Sequence, residues 1–161
     1  MISGAGLTQR GAFVVLAAGW GNVPSRGGKP PIANKKRYVL ALKICRSEDG
    51  CRTWTRTEMK VPPQMHYLIR YRNIVGLPGR RLAISCYSHN PNDISRNTAW
   101  VFFSDDDGRT WGNARVIAED SYNETALLPL YDGKLIAVSR TMKWRKNQDE
   151  HLESFLSDDG G

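Results

Sequence analysis

The stretch SDDDGRTW at residues 104–111 decides the fold of this chain, because its pattern S-x-D-x-G-x-T-W returns at two other places. A weaker copy runs from Ser47 to Trp54, and a third begins at Ser157 and reaches Gly161. Ser104 lies 57 residues after Ser47, and Ser157 lies 53 residues after Ser104. A period of about 50 residues is typical of propeller-blade repeats and longer than that of helical-pair solenoids. The spacing therefore predicts a β-propeller.

Each residue type in the motif suits a tight turn between two strands. The carboxylate of Asp106 can accept hydrogen bonds from the backbone of its own turn, and Gly108 admits a positive φ. Trp111 then returns to a strand, where its indole can cover apolar surface. In the first copy Cys51 stands in place of this glycine. Because a residue with a Cβ is strained at positive φ, we expect the first turn to be distorted, or Gly50 to take the unusual backbone.

Strand patterns fill nearly the whole chain, and no stretch has a helical period. The turns at 77–80 and 131–134 are equivalent hairpins that each precede an apolar strand. The segment from Gln9 to Gly11 resembles the same hairpin in an earlier blade, whose innermost strand we expect to be missing. Alternating or short apolar runs predict strands at 11–18, 38–45, 54–61, 68–77, 81–88, 98–104, 113–118, 124–130, 134–141 and 151–157. The prediction is an all-β chain of four-stranded antiparallel blades.

These repeats resemble the Asp-box proteins, also called BNR-repeat proteins, whose best-known members are the sialidases. The resemblance implies a six-bladed β-propeller, of which this chain would be a part, with approximate blades 1–61, 62–118 and 119–161 and truncation at both ends. Three repeats cannot close a ring, because propellers need about 4 to 8 blades. In that family the Asp boxes lie at the periphery. The resemblance therefore gives their acids, Asp49, Asp106 and Asp159, a structural role and no catalytic one.

The order of strands within a blade predicts which loops share a face. With strands A to D running outward from the centre, the A–B hairpin and the Asp box lie on one face, and the B–C and D–A loops on the other. The resemblance implies that the second face holds the ligand. Five segments should line it: 19–37, 62–67, 89–97, 119–123 and 142–150.

One group of polar residues falls on that second face. Asn123 and Glu124 open an innermost strand, and Arg140 ends the following one after a single hairpin, so we expect them to be neighbours. The stretch resembles a sialidase segment with an asparagine–glutamate pair, an L-x-D-G-x-L turn and an arginine. Judged from the offset between Gly79 and Gly133, Arg70 occupies the place of Glu124 in the preceding blade.

The resemblance implies roles for these residues. Glu124 would be catalytic by accepting the proton of a tyrosine nucleophile, whose ordinary pKa near 10 makes it a poor nucleophile otherwise. Arg140 would grip the carboxylate of the sugar with its forked donors, and Asn123 would also bind substrate. Arg70 is a further substrate-binding candidate on the blade offset alone, which would direct it toward the central axis. The alternative is that Glu124 and Arg140 form an ion pair that only braces two strands.

Other parts of the sialidase pattern are missing between residues 1 and 161. The first arginine, the aspartate acid/base, the third arginine and the tyrosine nucleophile would lie outside this chain, which alone should be inactive. The implied parent is an exo-sialidase-like glycoside hydrolase that cleaves terminal sialic acid, or a related acidic sugar, with retention. The alternative is a non-catalytic Asp-box propeller that serves as a carbohydrate- or protein-binding module.

The composition says less about the binding partners than the motifs do. The 23 basic and 16 acidic residues give a net charge of +7, which suits an anionic ligand such as a sialylated glycan. The basic residues are mostly scattered and form no nucleic-acid module, and no apolar run is long enough to span a membrane. Cys45 and Cys51 flank the first Asp box and could pair, although unpaired thiols are favoured. We expect no metal or cofactor, and we expect missing blades or self-association to cover the blade edges.

Overall fold

The structure, a computed structural model, describes residues 2–17, 20–22, 37–39, 42–62, 65, 69–89, 96–141 and 151–161. The described chain is all-β apart from one short 3₁₀ turn at Pro78–Arg80. Its described residues form three consecutive antiparallel sheets, here called blades 1, 2 and 3, and one separate two-stranded sheet. No helix in the described ranges has the length and apolar composition that crossing a membrane requires. The prediction of an all-β chain with four-stranded antiparallel blades is confirmed for blades 1 and 2.

Blade 1 shows that one expectation from the sequence was wrong, because its innermost strand is present. This strand pairs with the next one from Leu7 opposite Phe13 to Ile2 opposite Ala17, with a shift in register between Ile2 and Gly4. The predicted strand 38–45 is also two separate strands, since Arg37–Val39 belongs to a small hairpin of its own. The strands of blade 1 are β1 (Ile2–Leu7), β2 (Phe13–Ala17), β5 (Lys43–Ser47) and β6 (Thr55–Glu58), and the added hairpin consists of β3 (Trp20–Asn22) and β4 (Arg37–Val39).

Blades 2 and 3 repeat the order of blade 1 along the chain. Within each blade, every strand pairs with the one that precedes it, which is the meander expected of a propeller blade. Blade 2 contains β7 (Ile69–Gly76), β8 (Leu82–His89), β9 (Asn97–Ser104) and β10 (Gly112–Ala118). Blade 3 contains β11 (Tyr122–Pro129), β12 (Leu135–Thr141) and β13 (Leu152–Ser157).

The hydrophobic core lies between the blades, because strand residues alternate between the two faces of each sheet. Val14, Leu16 and Ile44 of blade 1 pack against one face of blade 2, which contributes Leu82, Ile84, Phe102 and Trp111. The other face of blade 2 packs against blade 3 through Ala83, Val101, Phe103, Leu127 and Leu135. Each blade is therefore stabilised chiefly by burial against its neighbours.

The Asp-box turns are held by local hydrogen bonds. In the second box the carboxylate of Asp106 accepts bonds from the backbone nitrogen and the hydroxyl of Thr110, at 2.8 and 2.7 Å. Ser104 Oγ accepts the Gly108 N–H at 2.8 Å. In the first box the side-chain hydrogen bond from Thr53, together with its backbone N–H, lowers the pKa of Asp49 to about 2. The carboxylates of Asp106 and Asp49 thus accept hydrogen bonds from their own turns, as expected of residues with a structural role.

The first Asp box is not distorted, and Gly50 takes positive φ, which was the other expectation, although Cys51 takes it as well. Gly50 and Cys51 have φ values of 68° and 70°, and the equivalent Asp107 and Gly108 have 63° and 84°. The Cys51 N–H reaches Ser47 Oγ at 2.9 Å, as its counterpart does in the second box. The local hydrogen bonds therefore hold a cysteine in the left-handed region that a glycine occupies elsewhere. Cys51 is exposed, and it forms no disulfide with Cys45.

The A–B hairpins lie beside the Asp boxes, as the strand order predicted. The side-chain amide of Gln9 donates to the carbonyl of Leu77 at 2.9 Å, which joins the hairpins of blades 1 and 2. Arg81, at the end of the second hairpin, donates to the carbonyl of Gly160 in the third Asp box at 3.2 Å. The ends of the strands that carry Glu124 and Arg140 consequently lie on the opposite face.

Candidate functional site

The candidate site lies where β11 begins and β12 ends, at the face opposite the Asp boxes. Tyr122 pairs with Thr141, whereas the next paired residue, Thr125, stands opposite Ser139. Two residues of β11 therefore face the single residue Arg140, which is a β-bulge. Bulges redirect side chains at the ends of sheets, and this one places both Asn123 and Glu124 at the position of Arg140.

The structure brings Glu124 and Arg140 together. Arg140 Nη1 lies 3.3 Å from Glu124 Oε2, and the two side chains are 37% and 36% exposed. A contact of this length and exposure is a weak ion pair, because solvent screens it. The two groups are thus adjacent and accessible, which a ligand-binding role needs and a bracing role also permits. Their catalytic and substrate-binding roles stay predictions.

Asn123 is buried beneath this pair, with 4% of its surface exposed. Its side-chain oxygen accepts the Glu124 N–H at 2.6 Å, and its carbonyl accepts the Thr125 hydroxyl at 2.8 Å. These contacts hold the backbone of the bulge in place. Asn123 therefore positions Glu124, and its predicted contact with substrate stays a prediction.

Sequence reasoning missed a cluster of buried hydroxyl groups under the bulge. Thr125 and Ser139 are both fully buried, and their side-chain oxygens lie 2.7 Å apart. Ser85 of blade 2 donates to the carbonyl of Thr125 and so ties the bulge to the neighbouring blade. Two hydroxyl residues at facing positions of adjacent strands were the signal in the sequence. It was weak, because serine and threonine are ordinary residues at a sheet rim.

A second polar group that sequence reasoning missed joins β11 to β13. The phenol of Tyr122 donates to Glu153 Oε2 at 2.5 Å, and His151 Nε2 lies 2.7 Å from the other oxygen of the same carboxylate. The hydrogen bond to Glu153, supported by burial, raises the pKa of Tyr122 to about 12. Tyr122 therefore keeps its proton near neutral pH and acts as a donor. Among the described residues, no group of three or more His, Cys, Asp or Glu side chains could hold a metal ion.

The backbone register corrects the expected place of Arg70. Arg70 pairs with Cys86, which lies four residues after Leu82, the partner of an Asp-box serine. The equivalent position in blade 3 is Ser139, and its partner is Thr125. Arg70 is thus the counterpart of Thr125. The prediction had made it the counterpart of Glu124, which is wrong by one residue. The equal glycine spacing was misleading for two reasons. Gly79 and Gly133 occupy different positions in hairpin loops of equal length, and β7 contains a bulge between Tyr71 and Val75 that β11 lacks at the corresponding place. The Arg70 side chain lies outside the described residues, and its role stays a prediction.

Much of the predicted ligand face also lies outside the described residues. This applies to 23–36 within the first loop, to 63–64 and 66–68, to 90–95, and to 142–150. The segment 119–123 is described, and it approaches the site through unusual backbone. Asp120 and Ser121 have φ values of 68° and 94°, and the Ser121 N–H donates to the carbonyl of Asn97 at 2.9 Å. These contacts fix the direction from which the chain enters β11.

Comparisons with known proteins identify the family to which this chain belongs. A model of the BNR repeat-like domain matches residues 30–161. Comparison with curated proteins finds no match. A protein of unknown function from Dyadobacter fermentans DSM 18053 is similar in structure, with a TM-score of 0.71 and 20% identity over 98% of this chain and 47% of its own. The Hadza microbial sialidase Hz136 is similar with a TM-score of 0.66 and 20% identity, over 95% of this chain and 30% of its own. This chain thus spans about half of the first of these structures and less than a third of the second. Because the family model matches most of its residues, the chain belongs to the family of BNR repeat-like domains.

Proposed function

We propose that this chain carries part of the substrate site of an exo-sialidase-like glycoside hydrolase. In this proposal its three blades belong to a six-bladed propeller that cleaves terminal sialic acid, or a related acidic sugar, with retention. Arg140 binds the carboxylate of the sugar, and Glu124 accepts the proton of a tyrosine nucleophile that lies outside residues 1–161. The chain by itself is expected to bind weakly and to have no hydrolytic activity.

The observation that carries the proposal is the half-exposed Glu124–Arg140 pair at the face opposite the Asp boxes. An arginine has five N–H donors in a planar fork, so it can contact Glu124 and a ligand carboxylate at the same time. Glu124 is backed by the buried Asn123, which limits the movement of its backbone. A rigid support of this kind is what a group that must meet a substrate requires.

The first test measures binding of a carboxylated sialic-acid analogue to the 161-residue chain, and of its methyl ester, by NMR titration. Arg140→Ala should weaken binding of the acid by about tenfold or more, because one charge-assisted contact is worth about 1.4 kcal/mol or more. Binding of the uncharged ester should change little. This difference separates recognition of the carboxylate from general damage to the site.

Arg115→Ala is the matched control, because Arg115 is an exposed arginine that pairs with Asp159 at 3.5 Å, far from the candidate site. It removes the same charge and should leave affinity for the acid unchanged. If Arg140→Ala and Arg115→Ala bind the acid equally well, the sugar-binding role is wrong. A loss of thermal stability in Arg140→Ala without any loss of binding would instead support the bracing role.

A further inference from the structure

Ser85 is a polar residue at a position of the blade repeat that is apolar in the other two blades. It lies three residues after Leu82, the partner of the Asp-box serine of blade 2. The same position holds Leu16 in blade 1 and Val138 in blade 3. Leu16 is fully buried in the core between blades 1 and 2. Ser85 is only 2% exposed, and burial of a hydroxyl is unfavourable unless it finds a hydrogen-bond partner.

The partner of Ser85 belongs to the candidate site in the next blade. Leu82 and Ile84 face blade 1, and side chains alternate along a strand, so Ser85 faces blade 3. There its hydroxyl donates to the carbonyl oxygen of Thr125, the residue at which the bulge of β11 ends. A leucine at this position, as in blade 1, could only pack. A directional hydrogen bond therefore takes the place of apolar packing where blade 2 meets the bulge.

The hydroxyl of Thr125 continues this series of contacts towards Glu124. A hydroxyl has a single proton, and that of Thr125 goes to the carbonyl of Asn123 at 2.8 Å. Ser139 Oγ, 2.7 Å from Thr125 Oγ1, is therefore the donor of the bond between the two hydroxyls. The side-chain oxygen of Asn123 accepts the Glu124 N–H at 2.6 Å. Hydrogen bonds through Thr125 and Asn123 thus connect Ser85 of blade 2 to the backbone of Glu124.

The members of this series are buried, with the exception of Glu124. Asn123 is 4% exposed, and Thr125 and Ser139 are fully buried, whereas the Glu124 side chain is 36% exposed. Hydrogen-bonded polar groups in a protein interior favour one geometry, because other arrangements leave a polar group unpaired at low dielectric constant. The buried bonds therefore restrict the backbone of the bulge and leave the carboxylate accessible to a ligand.

We propose that Ser85 is a positioning residue for Glu124, acting across the junction between blades 2 and 3. Its bond to the Thr125 carbonyl fixes the bulge, and the bulge presents Glu124 beside Arg140. Ser85 is too buried to touch a ligand, so it acts only through the residues that it holds. The inference rests on the sugar-binding role proposed above, and it adds that this role depends on a residue of the preceding blade. Functional groups need such support, because small displacements weaken their contacts with a ligand.

The experiment measures amide hydrogen exchange by NMR in the 161-residue chain, without ligand, and then binding of the carboxylated sialic-acid analogue. Ser85→Ala should raise the exchange rate of the Glu124 amide by about two- to tenfold relative to the amides of β2, because it removes one hydrogen bond that holds the bulge. It should weaken binding of the acid by a similar factor. Ser85→Thr keeps the hydroxyl, and it should behave like wild type in both measurements.

Ser88→Ala is the matched control. Ser88 lies on the same strand as Ser85, is 5% exposed, and accepts the indole N–H of Trp100 at 2.9 Å. Because the two serines are three residues apart, their side chains lie on opposite faces of the strand. Ser88→Ala thus also removes a buried hydrogen bond, and thermal unfolding should show a loss of stability similar to that of Ser85→Ala. It should change neither the relative exchange of the Glu124 amide nor the affinity for the acid.

Two results would overturn the inference about Ser85. The first is exchange of the Glu124 amide in Ser85→Ala that rises no more than that of the β2 amides, or that rises equally in Ser88→Ala. The second is unchanged affinity of Ser85→Ala for the acid where Arg140→Ala weakens it. A wild-type chain that does not bind the acid would contradict the sugar-binding role itself. The exchange measurement involves no ligand, so it would still show whether Ser85 holds the bulge.

Discussion

The two junctions between blades differ in chemistry although their backbones agree. Between blades 1 and 2, Arg46 is 7% exposed and binds both the carboxylate and the carbonyl of Asp107, while also contacting Glu48. Between blades 2 and 3, Phe103 fills the corresponding place and Arg81 lies over its ring, 3.9 Å from the centroid. One junction buries an ion pair, and the other buries an aromatic ring.

The Asp box fixes the backbone of its turn, but it does not determine which side chains meet at the junction between two blades. Asp107 and Gly160 occupy the same position of the repeat, with φ values of 63° and 76°. The backbone therefore accepts either residue. Asp107 meets Arg46 of the preceding blade, whereas a Cβ at Gly160 would lie 3.0 Å from the carbonyl oxygen of Gly133 in its own blade, and the Phe103 ring lies against the next residue, Gly161. A buried ion pair needs both partners, whereas apolar packing needs matching volumes.

The largest expected effect comes from breaking the first junction. Arg46→Ala should lower the free energy of unfolding by about 3 to 5 kcal/mol, because it leaves the Asp107 carboxylate buried without its partner. Among the described residues, Asp107 Oδ1 lacks a hydrogen bond and Arg109 Nη1 lies 4.0 Å from Oδ2, which is too far for a hydrogen bond, so compensation for the lost partner is small. Urea unfolding followed by fluorescence measures the change.

The control for this prediction replaces the ion pair of the first junction by an aromatic ring, as found at the second junction. Arg46→Phe combined with Asp107→Gly should recover most of the stability lost in Arg46→Ala, because it removes both buried charges together and places a ring beside Gly108, the counterpart of the Gly161 that Phe103 contacts. A double variant that is as unstable as the single variant would show that the two positions are not chosen as a pair.

The second effect concerns the glycine that the junction requires. A Cβ at Gly108 would lie 2.8 Å from Val14 Cγ2 of blade 1, at a φ of 84°. Gly108→Ala should therefore cost about 2 to 4 kcal/mol from overpacking and backbone strain together. Cys51→Gly, at the same position of the repeat where the side chain is exposed, should change stability by less than about 1 kcal/mol. Equal effects in thermal unfolding would contradict the role of the neighbouring blade.

The third effect is a loss of stability at alkaline pH, which we expect from the second junction. Tyr122 packs against Ala99 and Ala118 at the second junction, and the bond to Glu153 raises its pKa to about 12. Because this value exceeds the ordinary value near 10, the stabilisation is complete below pH 10 and is lost as the pH rises through about 12. Tyr122→Phe should cost about 1.5 kcal/mol at neutral pH and remove this part of the alkaline loss. An unchanged alkaline profile would show that Tyr122 is not the titrating group.

The smallest expected effect is that of the cation over the ring. Arg81→Met should lower stability by about 1 kcal/mol, because it removes the attraction to the Phe103 ring, the ion pair with Asp105 and the bond to the Gly160 carbonyl, and keeps an apolar stem of similar length. Lys134→Met, at the equivalent position of blade 3, removes only exposed ion pairs with Asp132 and Asp158 and should change stability by less than about 0.5 kcal/mol in the same chemical denaturation series. A loss in Arg81→Met as large as that in Arg46→Ala would mean that both junctions are ionic.

Much of the fold could be predicted because its signals are local. The three Asp boxes, the hairpins and the sharing of faces follow from residues a few positions apart, and the proximity of Glu124 to Arg140 needed only one hairpin between them. The innermost strand of blade 1 could not be predicted in this way. Its sequence ISGAGL has little alternation, and it becomes a strand through pairing with β2 and packing of Gly6 on Ile74.

The sequence by itself determined the repeat, the turn chemistry and the order of strands, because hydrogen bonds such as those of Asp106 to Thr110 span only four residues. Only the tertiary structure decided that Arg46 binds Asp107 and that Arg81 lies over Phe103, and it also decided that a bulge places Asn123 beneath Glu124. The physical reason is that a junction joins side chains whose chemistry is complementary only after the blades have packed. No local pattern records which residue of one repeat will meet which residue of the next.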